Sequence, residues 1–461
     1  MGIRRVGRAL TVFTALALVA GACADDDEVS TDDGPGVTPS SVPPGATDAP
    51  GPPTTADAPA ALPASFRGVT ETAIKVGVAV PDFDALQAAG IANYQGDADI
   101  AFQAFIDVVN DNGGVFGRRI DPVYVSFDFL DPASQDVACA EFVDDHEVFI
   151  VLYGLLTANN TCLTELNDTM VMTRSFQTSE LRERSGDTLW LQLNASDDER
   201  VRILGAAVHE AGRLEGRTIG ILAAASQGDG LEGRVLQEVL DDLGYESTLI
   251  IGDADQGDPL ARERELALSS ESFRAAGVDF LFDLTGGGNV AGNMADVGFT
   301  PEFAFKAIGP SVDGAEDRSV LDGAIGVGEI TEAAMLADPD FVANCIDVVV
   351  AANPELEEEI LYLPTGDEQA AGRRSWVNPI MIACDQTRLF DMIGELAGAD
   401  LTNDSFRAAL DELGPVDLHG YGQASFDSES KWDGLDEFYL QVYDAASDTI
   451  SVVGDPIIVE R

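Results

Sequence analysis

Polar side chains recur in the loops that follow the strand-like apolar runs of this chain. The carboxyl ends of parallel strands meet at one edge of a sheet, where α/β proteins form their ligand crevice. Aromatic, hydroxyl, amide and carboxylate groups in such loops bind small polar molecules through hydrogen bonds and charge. Nine residues of these loops are our candidate ligand-binding residues: Tyr94, Tyr153, Thr157, Asn159, Ser175, Gln177, Gln227, Asp283 and Thr285.

The sequence offers little for catalysis. Segment 286–291, Gly-Gly-Gly-Asn-Val-Ala, matches the pattern G-x-G-x-x-A, but no acid follows at the ribose-binding distance. His146, His209 and His419 are scattered and form no metal-ligand spacing, and no G-x-S-x-G motif is present. We therefore expect a binding protein without cofactor or metal. An enzyme that uses the glycine loop at 286–288 is the less favoured alternative.

The elements that carry these loops alternate between strands and helices. AIKVGVAV at 73–80 is nearly all apolar, as a strand buried on both faces should be. A helix with apolar spacing follows, Gly113 and Gly114 supply the positive φ that ends it, and a second strand covers Ile120–Phe127. Strand, helix and strand without a hairpin turn require a parallel pair with a right-handed crossover. The alternation restarts at Asp197, which predicts two doubly wound α/β lobes.

The order of elements, the phrase NDNGGVFGRRIDPVYVSFD at 110–128, and Cys139 with Cys162 around the third strand resemble the type I periplasmic-binding proteins. The resemblance covers nearly everything after Thr70, and it is greatest to proteins that bind leucine, isoleucine and valine for ABC importers. It implies a monomer with two parallel-sheet lobes, a three-strand hinge and a ligand between the lobes. Lobe one would comprise residues 70–194 and 328–413, and lobe two residues 195–327 and 414–461. The partners would be a small-molecule ligand and a membrane permease.

The same resemblance implies roles for the candidate residues. Tyr94 would pack on the ligand, or else cover the surface of its own lobe. Thr157 and Asn159, at a helix N-terminus, and Ser175 would bind a ligand carboxylate, although capping and turn roles stay open. Asp283 would pair with a ligand ammonium, or cap the next turn. Amino-acid-binding relatives carry an acid after Gly-Pro that pairs with the ligand ammonium, but this chain has Ser311 there and its nearest acid is Asp313. This departure argues against a strict amino-acid assignment, and we expect a small polar ligand, either an amino acid or a related compound.

The start of the chain predicts export and anchoring. Residues 1–22 combine a basic beginning with an apolar run too short to span a bilayer, which is typical of a signal peptide. Ala20-Gly21-Ala22-Cys23 resembles a bacterial lipobox and implies a lipidated Cys23; an ordinary secretory signal is the alternative. Residues 23–69 are rich in Pro and Asp and predict a disordered tether. We expect a protein held by lipid on the extracytoplasmic face of the membrane, acting in transport or in ligand sensing.

The net charge and the remaining cysteines limit the other possibilities. A formal charge of −55 excludes nucleic acid as a partner, because phosphates would be repelled. Four cysteines follow Cys23, and three pairings into two disulfides are possible. We expect Cys139–Cys162, because the helices that carry them flank one strand and can be neighbours on one sheet face. That choice leaves Cys345–Cys384 as the second bridge.

Overall fold

The computed structural model describes residues 61–459, except 89–93, 129–130, 157–158, 175–177, 187, 226–229, 254–258, 287, 366–367, 370 and 430. The signal peptide, Cys23 and most of the tether therefore lie outside the described residues. Within those residues, no helix has both the length and the apolar character needed to cross a bilayer.

A five-stranded parallel sheet forms the first lobe of the described chain. Its order is β2-β1-β3-β4-β5, and its strands are Ala73–Pro81 (β1), Arg119–Phe127 (β2), Ile150–Tyr153 (β3), Met170–Thr173 (β4) and Trp190–Gln192 (β5). The first strand is buried on both faces, with Val76, Val78 and Ala79 fully inaccessible to solvent. The predicted parallel pairing of Ala73–Pro81 with Arg119–Phe127 is confirmed.

A second sheet holds the other lobe, with an antiparallel edge on a parallel core. Its parallel strands are Ile219–Ala224 (β6), Ser247–Gly252 (β7), Phe280–Asp283 (β8), Glu302–Phe305 (β9) and Ile325–Gly328 (β10). A separate hairpin, Val416–Leu418 (β11) with Gly422–Ala424 (β12), precedes the antiparallel strands Glu437–Asp444 (β13), Thr449–Val452 (β14) and Ile457–Ile458 (β15). The order of the sheet is β14-β13-β10-β9-β8-β6-β7, and β15 pairs with β13.

Helices cover the sheets of both lobes. Those of the first half of the chain are Phe83–Ala88 (α1), Ala98–Asp111 (α2), Pro132–Ala140 (α3), Asn160–Leu163 (α4), Ser179–Glu183 (α5), Asp197–Glu210 (α6) and Leu231–Asp242 (α7). Those that follow are Pro259–Ala276 (α8), Val290–Asp296 (α9), Ile308–Asp313 (α10), Glu332–Ala337 (α11), Pro339–Phe341 (α12), Asp347–Ala352 (α13), Glu357–Ile360 (α14), Val377–Ala397 (α15) and Asn403–Leu413 (α16). The long helix α15 packs on α2 and β3, which places it with the first lobe.

The turn after α2 shows why glycine is needed there. Gly113 and Gly114 both have positive φ, as the sequence predicts. A Cβ atom on Gly114 would lie 2.0 Å from the carbonyl oxygen of Arg118, so any side chain would collide with the backbone. The glycine therefore allows the chain to turn tightly from α2 into β2.

Both expected disulfides are confirmed. Cys139 bonds Cys162 and Cys345 bonds Cys384, with sequence separations of 23 and 39 residues. The first bridge joins α3 to α4 across β3, and the second joins the helical turn Val342–Ile346 to α15. Both bridges therefore lie among elements that pack on the first sheet.

The chain differs from the sequence-based prediction in a few elements. The helix expected at 158–167 is shorter, because only Asn160–Leu163 is helical and turns follow it. Strand β10 and helix α9 were not predicted, since each is too short to show a clear period.

Contacts near the end of the chain bear on the lobe boundaries, which stay predictions. Trp432 packs in one apolar cluster with Trp190 of the first sheet. Gly434 donates its N–H to the carbonyl of Gln192 at 2.8 Å, and Gln192 donates to Trp432 at 2.9 Å. These contacts favour a third crossing between the lobes near Gly434 rather than at Gly414.

Candidate functional site

The edge of the first sheet presents Tyr153 and Arg174, which end β3 and follow β4. Tyr153 is 1% exposed and has a φ of +67°, and its ring packs edge-on against Phe102 at 6.1 Å. Arg174 donates from Nη1 to the Tyr153 hydroxyl at 3.1 Å, and its guanidinium lies 5.1 Å from the ring centroid. The pair places a fixed positive charge at the carboxyl edge of this sheet. Arg174 was missed by the sequence analysis, although it immediately precedes Ser175.

Three amide side chains hold the loop that follows β3. Gln386 of α15 accepts the Tyr153 N–H at 2.7 Å, and Gln135 accepts that of Leu156 at 3.0 Å. Asn160 is fully buried, accepts the Leu155 N–H at 2.8 Å and donates to the Leu155 carbonyl at 2.6 Å. The loop backbone is thus fixed by side chains from three different helices.

Asn159 forms fewer side-chain hydrogen bonds in this loop than Asn160 does. It occupies the N-cap position of α4, but its side chain makes no capping hydrogen bond. Thr157, Ser175, Gln177 and Gln227 lie outside the described residues, so their roles stay predictions.

Tyr94 makes its polar contact within its own lobe. Its hydroxyl donates to Asp84 at 2.7 Å, and its side chain is only 9% exposed. The hydrogen bond to Asp84, followed by burial, raises the pKa of Tyr94. The guanidinium of Arg374 lies 5.3 Å from its ring and pairs with Asp97 at 2.6 Å. These contacts favour the surface-covering interpretation, and a ligand role for Tyr94 stays a prediction.

Asp283 ends β8 at the carboxyl edge of the second sheet and is 2% exposed. Its Oδ1 accepts the Thr285 N–H at 2.9 Å and the Thr285 hydroxyl at 2.7 Å, so one oxygen caps the next turn. Its Oδ2 is buried and has no hydrogen-bond partner among the described residues. Burial raises the pKa of Asp283, against the hydrogen bonds of Thr285 and the charges of Arg262 and Lys306. One carboxylate oxygen therefore remains for a donor that the described residues do not supply.

A buried charge cluster adjoins Asp283, and the sequence analysis missed it. Lys306 follows β9, is 4% exposed and donates to both oxygens of Glu232 at 2.8 and 2.9 Å. Asp197, at the start of α6, lies 3.8 Å from the same ammonium. Burial raises the pKa of Glu232, and Asp197 adds to this effect, whereas Lys306 opposes it. The cluster thus brings two carboxyl groups to one buried ammonium group.

Charged and amide side chains also form bonds near the predicted boundaries between the lobes. Glu329, directly after β10, pairs with Arg200 of α6 at 2.5 Å and accepts a hydrogen bond from Asn194. Burial would raise the pKa of Glu329, but the charge and hydrogen bond of Arg200 hold it below the ordinary value. Ser196 donates its N–H to Asp433 at 2.8 Å. These bonds join residues next to the predicted lobe boundaries at 194–195 and 327–328, and they connect them to Asp433 near the end of the chain.

The glycine loop of the second lobe is packed against its surroundings. Gly286 and Gly288 have positive φ, and the loop leads into α9. A Cβ on Gly314 would lie only 2.6 Å from Cα of Gly288, so the loop lies against the end of α10. The positive φ of Gly286 and Gly288 favours glycine at these two positions, and the close approach requires glycine at position 314.

A cavity of about 660 Å³ lies elsewhere, between the β11–β12 hairpin and the last strand. Its polar groups are already bonded: Ser425 donates to Asp436 at 2.7 Å, and Lys431 pairs with Asp436 at 2.7 Å. Cavity size therefore does not locate the ligand site in this chain. The buried Oδ2 of Asp283, which has no partner among the residues described, is the more specific indication of a ligand site.

Comparisons with known proteins give structural matches only. No protein-family model and no curated protein sequence matches the chain. A substrate-binding protein of an ABC transporter from Desulfitobacterium hafniense, in complex with leucine, is 15% identical with a TM-score of 0.56; the match covers 83% of this chain and 100% of that one. A solute-binding protein from Rhodopseudomonas palustris, in complex with p-hydroxybenzoic acid, is 15% identical with a TM-score of 0.60 and coverages of 84% and 98%.

A third solved structure extends this group. The fatty acid ABC transporter substrate-binding protein of Thermomonospora curvata is 15% identical with a TM-score of 0.59, and the match covers 86% of this chain and 95% of that one. Identities at this level establish the architecture and leave the ligand open. The chain has the two-lobed α/β fold of ABC-transporter solute-binding proteins.

Proposed function

We propose that this protein is an extracytoplasmic solute-binding lipoprotein that captures a small carboxylate, an amino acid or a related compound, for an ABC importer. The observation that carries the proposal is the buried Oδ2 of Asp283 at the carboxyl edge of the second sheet, which has no hydrogen-bond partner in the part of the chain that the structure describes. An unpaired buried acceptor costs free energy in the empty protein, and a ligand donor would remove that cost. Affinity would come from such polar groups and from closure of the lobes.

The first lobe would bind the acidic end of the ligand. The ligands named for the three structural matches, leucine, p-hydroxybenzoic acid and fatty acid, share a carboxylate group. Arg174 offers a guanidinium at the carboxyl edge of this lobe, and guanidinium groups bind carboxylates through charge-assisted hydrogen bonds. Tyr153 supports that guanidinium by its hydroxyl and by the face of its ring.

The second lobe would bind the ammonium of the ligand. Its position Ser311 lacks the acid of amino-acid-binding relatives, and Asp283 would take over that role. The carboxyl groups of Asp197 and Glu232 surround the ammonium of Lys306 near this edge, and they support a cationic ligand group over an anionic one. A ligand with both charges would therefore span the two lobes.

Calorimetric titration with matched ligands tests this assignment. We expect the purified chain to bind at least one amino acid, and the Asp283→Asn variant to bind it about 100-fold more weakly, because a buried charge pair loses roughly 2–5 kcal/mol when one partner is removed. The same acid without its amino group should bind both proteins with similar affinity. Arg174→Gln should weaken both ligands.

The exposed acid Asp242 of α7 supplies the matched control. Asp242→Asn changes the same charge in the same lobe, away from the carboxyl edge of the sheet, and should leave affinity unchanged. Equal binding of the amino acid by the Asp283→Asn variant and the unmodified chain would remove Asp283 from the site. No binding across all amino acids and their deaminated analogues would refute the proposed function.

The membrane anchor is tested separately. We expect the mature chain to begin at a diacylated Cys23, because the lipobox-like residues 20–23 follow a signal-type apolar run. Intact-mass spectrometry of the membrane fraction should show the lipid, and Cys23→Ser should move the protein to the soluble fraction. A water-soluble, unmodified product from the natural sequence would contradict the anchor without affecting ligand binding.

A further inference from the structure

A second concave site lies between α2 and α15 on the first lobe. Its cavity is about 340 Å³, which lies within the size range of small-molecule sites. It is lined by residues of both helices, together with Gly114, Asn344 and His419. None of the nine candidate ligand residues lines it, so it is separate from the site proposed between the lobes.

The two helices present different walls to this cavity. Phe105, Val108 and Val109 lie at i, i+3 and i+4 spacing on α2 and form an apolar wall, and Val108 is 43% exposed. Thr387 and Asp391 of α15 are four residues apart, and Glu395 continues the same face one turn later. One wall is thus apolar, and the facing wall carries a hydroxyl, two carboxylates and the guanidinium of Arg388.

Thr387 provides an independent indication of a ligand. Its side chain is 1% exposed and lines the cavity, and its Oγ1 makes no hydrogen bond with any described part of the chain. A threonine hydroxyl within a helix commonly bonds the carbonyl four residues earlier, but this one does not. A buried hydroxyl without a partner is rare in native proteins and calls for an explanation.

The neighbouring charged groups are engaged away from Asp391. Arg388 donates to the Asp417 carbonyl at 2.7 Å, and His419 Nδ1 pairs with Asp340 at 2.7 Å. Glu395 accepts the N–H of Phe116. No ion pair to Asp391 is found among the described residues. Burial, followed by the charge of Glu395, raises the pKa of Asp391 to about 6, which fits a carboxylate that lacks a nearby cation.

We propose that this cavity binds a small organic ammonium ion with an apolar body. The ammonium would donate to the Asp391 carboxylate and the Thr387 hydroxyl, while the apolar body would pack on Phe105, Val108 and Val109. The three apolar side chains of α2 favour an organic cation over a hard divalent cation, which prefers to be surrounded by six or more oxygen ligands. Occupancy would bridge α2 and α15, the two helices that pack against each other beside β1 and β3.

Titration of the full-length chain with 2-phenylethylammonium chloride tests the proposal. We expect saturable binding to the unmodified protein and about tenfold weaker binding after Asp391→Asn, because a charge-assisted hydrogen bond is lost. Thr387→Val keeps the shape of the side chain and should weaken binding by a smaller factor. The neutral analogue 2-phenylethanol should bind at least tenfold more weakly than the ammonium.

Controls separate this site from the cleft and from loss of fold. Glu412→Gln removes an exposed acid on α16 of the same lobe and should not change the affinity, nor should Asp283→Asn. The far-ultraviolet circular dichroism of each variant should match that of the unmodified chain. The proposal is overturned if the probe fails to bind at 10 mM or if Asp391→Asn and Thr387→Val both leave its affinity unchanged. Loss of probe binding in the Asp283→Asn variant, or stronger binding of calcium ions than of the probe, would also overturn it.

Discussion

Lys306→Met should destabilise the second lobe by about 3–5 kcal/mol, the cost of leaving a buried charge without its partner. The ammonium of Lys306 donates to both oxygens of Glu232, which is 1% exposed, and lies near Asp197. Methionine fills a similar volume but supplies no charge or hydrogen bond. Glu232 would then be a buried carboxyl group without its cationic partner, with the carboxyl group of Asp197 nearby.

The positions of the tryptophans allow the effect to be assigned to a lobe. The chain has three tryptophans; Trp190 and Trp432 share one core cluster on the first sheet, and Trp376 precedes α15. Tryptophan fluorescence therefore reports on the first lobe, whereas circular dichroism reports on both. If the lobes unfold separately, Lys306→Met should lower the circular dichroism transition in urea and largely spare the fluorescence transition. If they unfold together, both transitions should move by the same amount.

Two further variants test whether the lost stability comes from the unpaired carboxyl group. The double variant Lys306→Met, Glu232→Leu should recover most of the lost stability, since a buried ion pair can often be replaced by apolar groups of similar volume. Lys75→Met is the control, because Lys75 donates to the His146 carbonyl at an exposed position and should cost less than about 1 kcal/mol. A Lys306→Met effect as small as that of Lys75→Met would show that the cluster contributes little.

The fold could be predicted from the sequence because its strands are buried on both faces. Runs such as 73–80 contain too many β-branched and apolar residues to be surface segments, and glycines mark the helix ends beside them. The predicted alternation of strands and helices follows from this signal, and both disulfides follow from it as well. The hairpin β11–β12 and the strand β10 were not predicted, because segments of three or four residues show no clear hydrophobic period.

The candidate site was only partly predictable, because its polar contacts join residues far apart in sequence. Strand-end position alone indicated Asp283 and Tyr153. Gln386, however, reaches the Tyr153 backbone across 233 residues, and Lys306 meets Glu232 across 74. No local pattern distinguishes such a glutamine or lysine from an exposed one. Only the packing of α15 on β3, and of α7 on β6 and β7, brings these groups together.

Removing the disulfide Cys345–Cys384 should cost about 4 kcal/mol in the first lobe. The loop-entropy model gives this value for a separation of 39 residues, and about 3.4 kcal/mol for the 23 residues between Cys139 and Cys162. The longer loop includes α13 and α14, which the open chain would leave free to sample more conformations when unfolded. Both sulfurs are buried, so Cys345→Ala with Cys384→Ala also leaves a small cavity.

Tryptophan fluorescence also measures this effect, but here the first lobe is the one that should lose stability. Because both bridges lie on the first lobe, the double alanine variant should lower the fluorescence transition in urea. If the lobes unfold separately, the urea concentration at which the second lobe unfolds, measured by circular dichroism, should not change. Cys139→Ala with Cys162→Ala should give a slightly smaller loss in the same probe. If reduction of the unmodified chain lowers the free energy of unfolding by the same amount, the effect belongs to the disulfide. If neither double variant loses stability, packing alone holds these helices and the prediction is wrong.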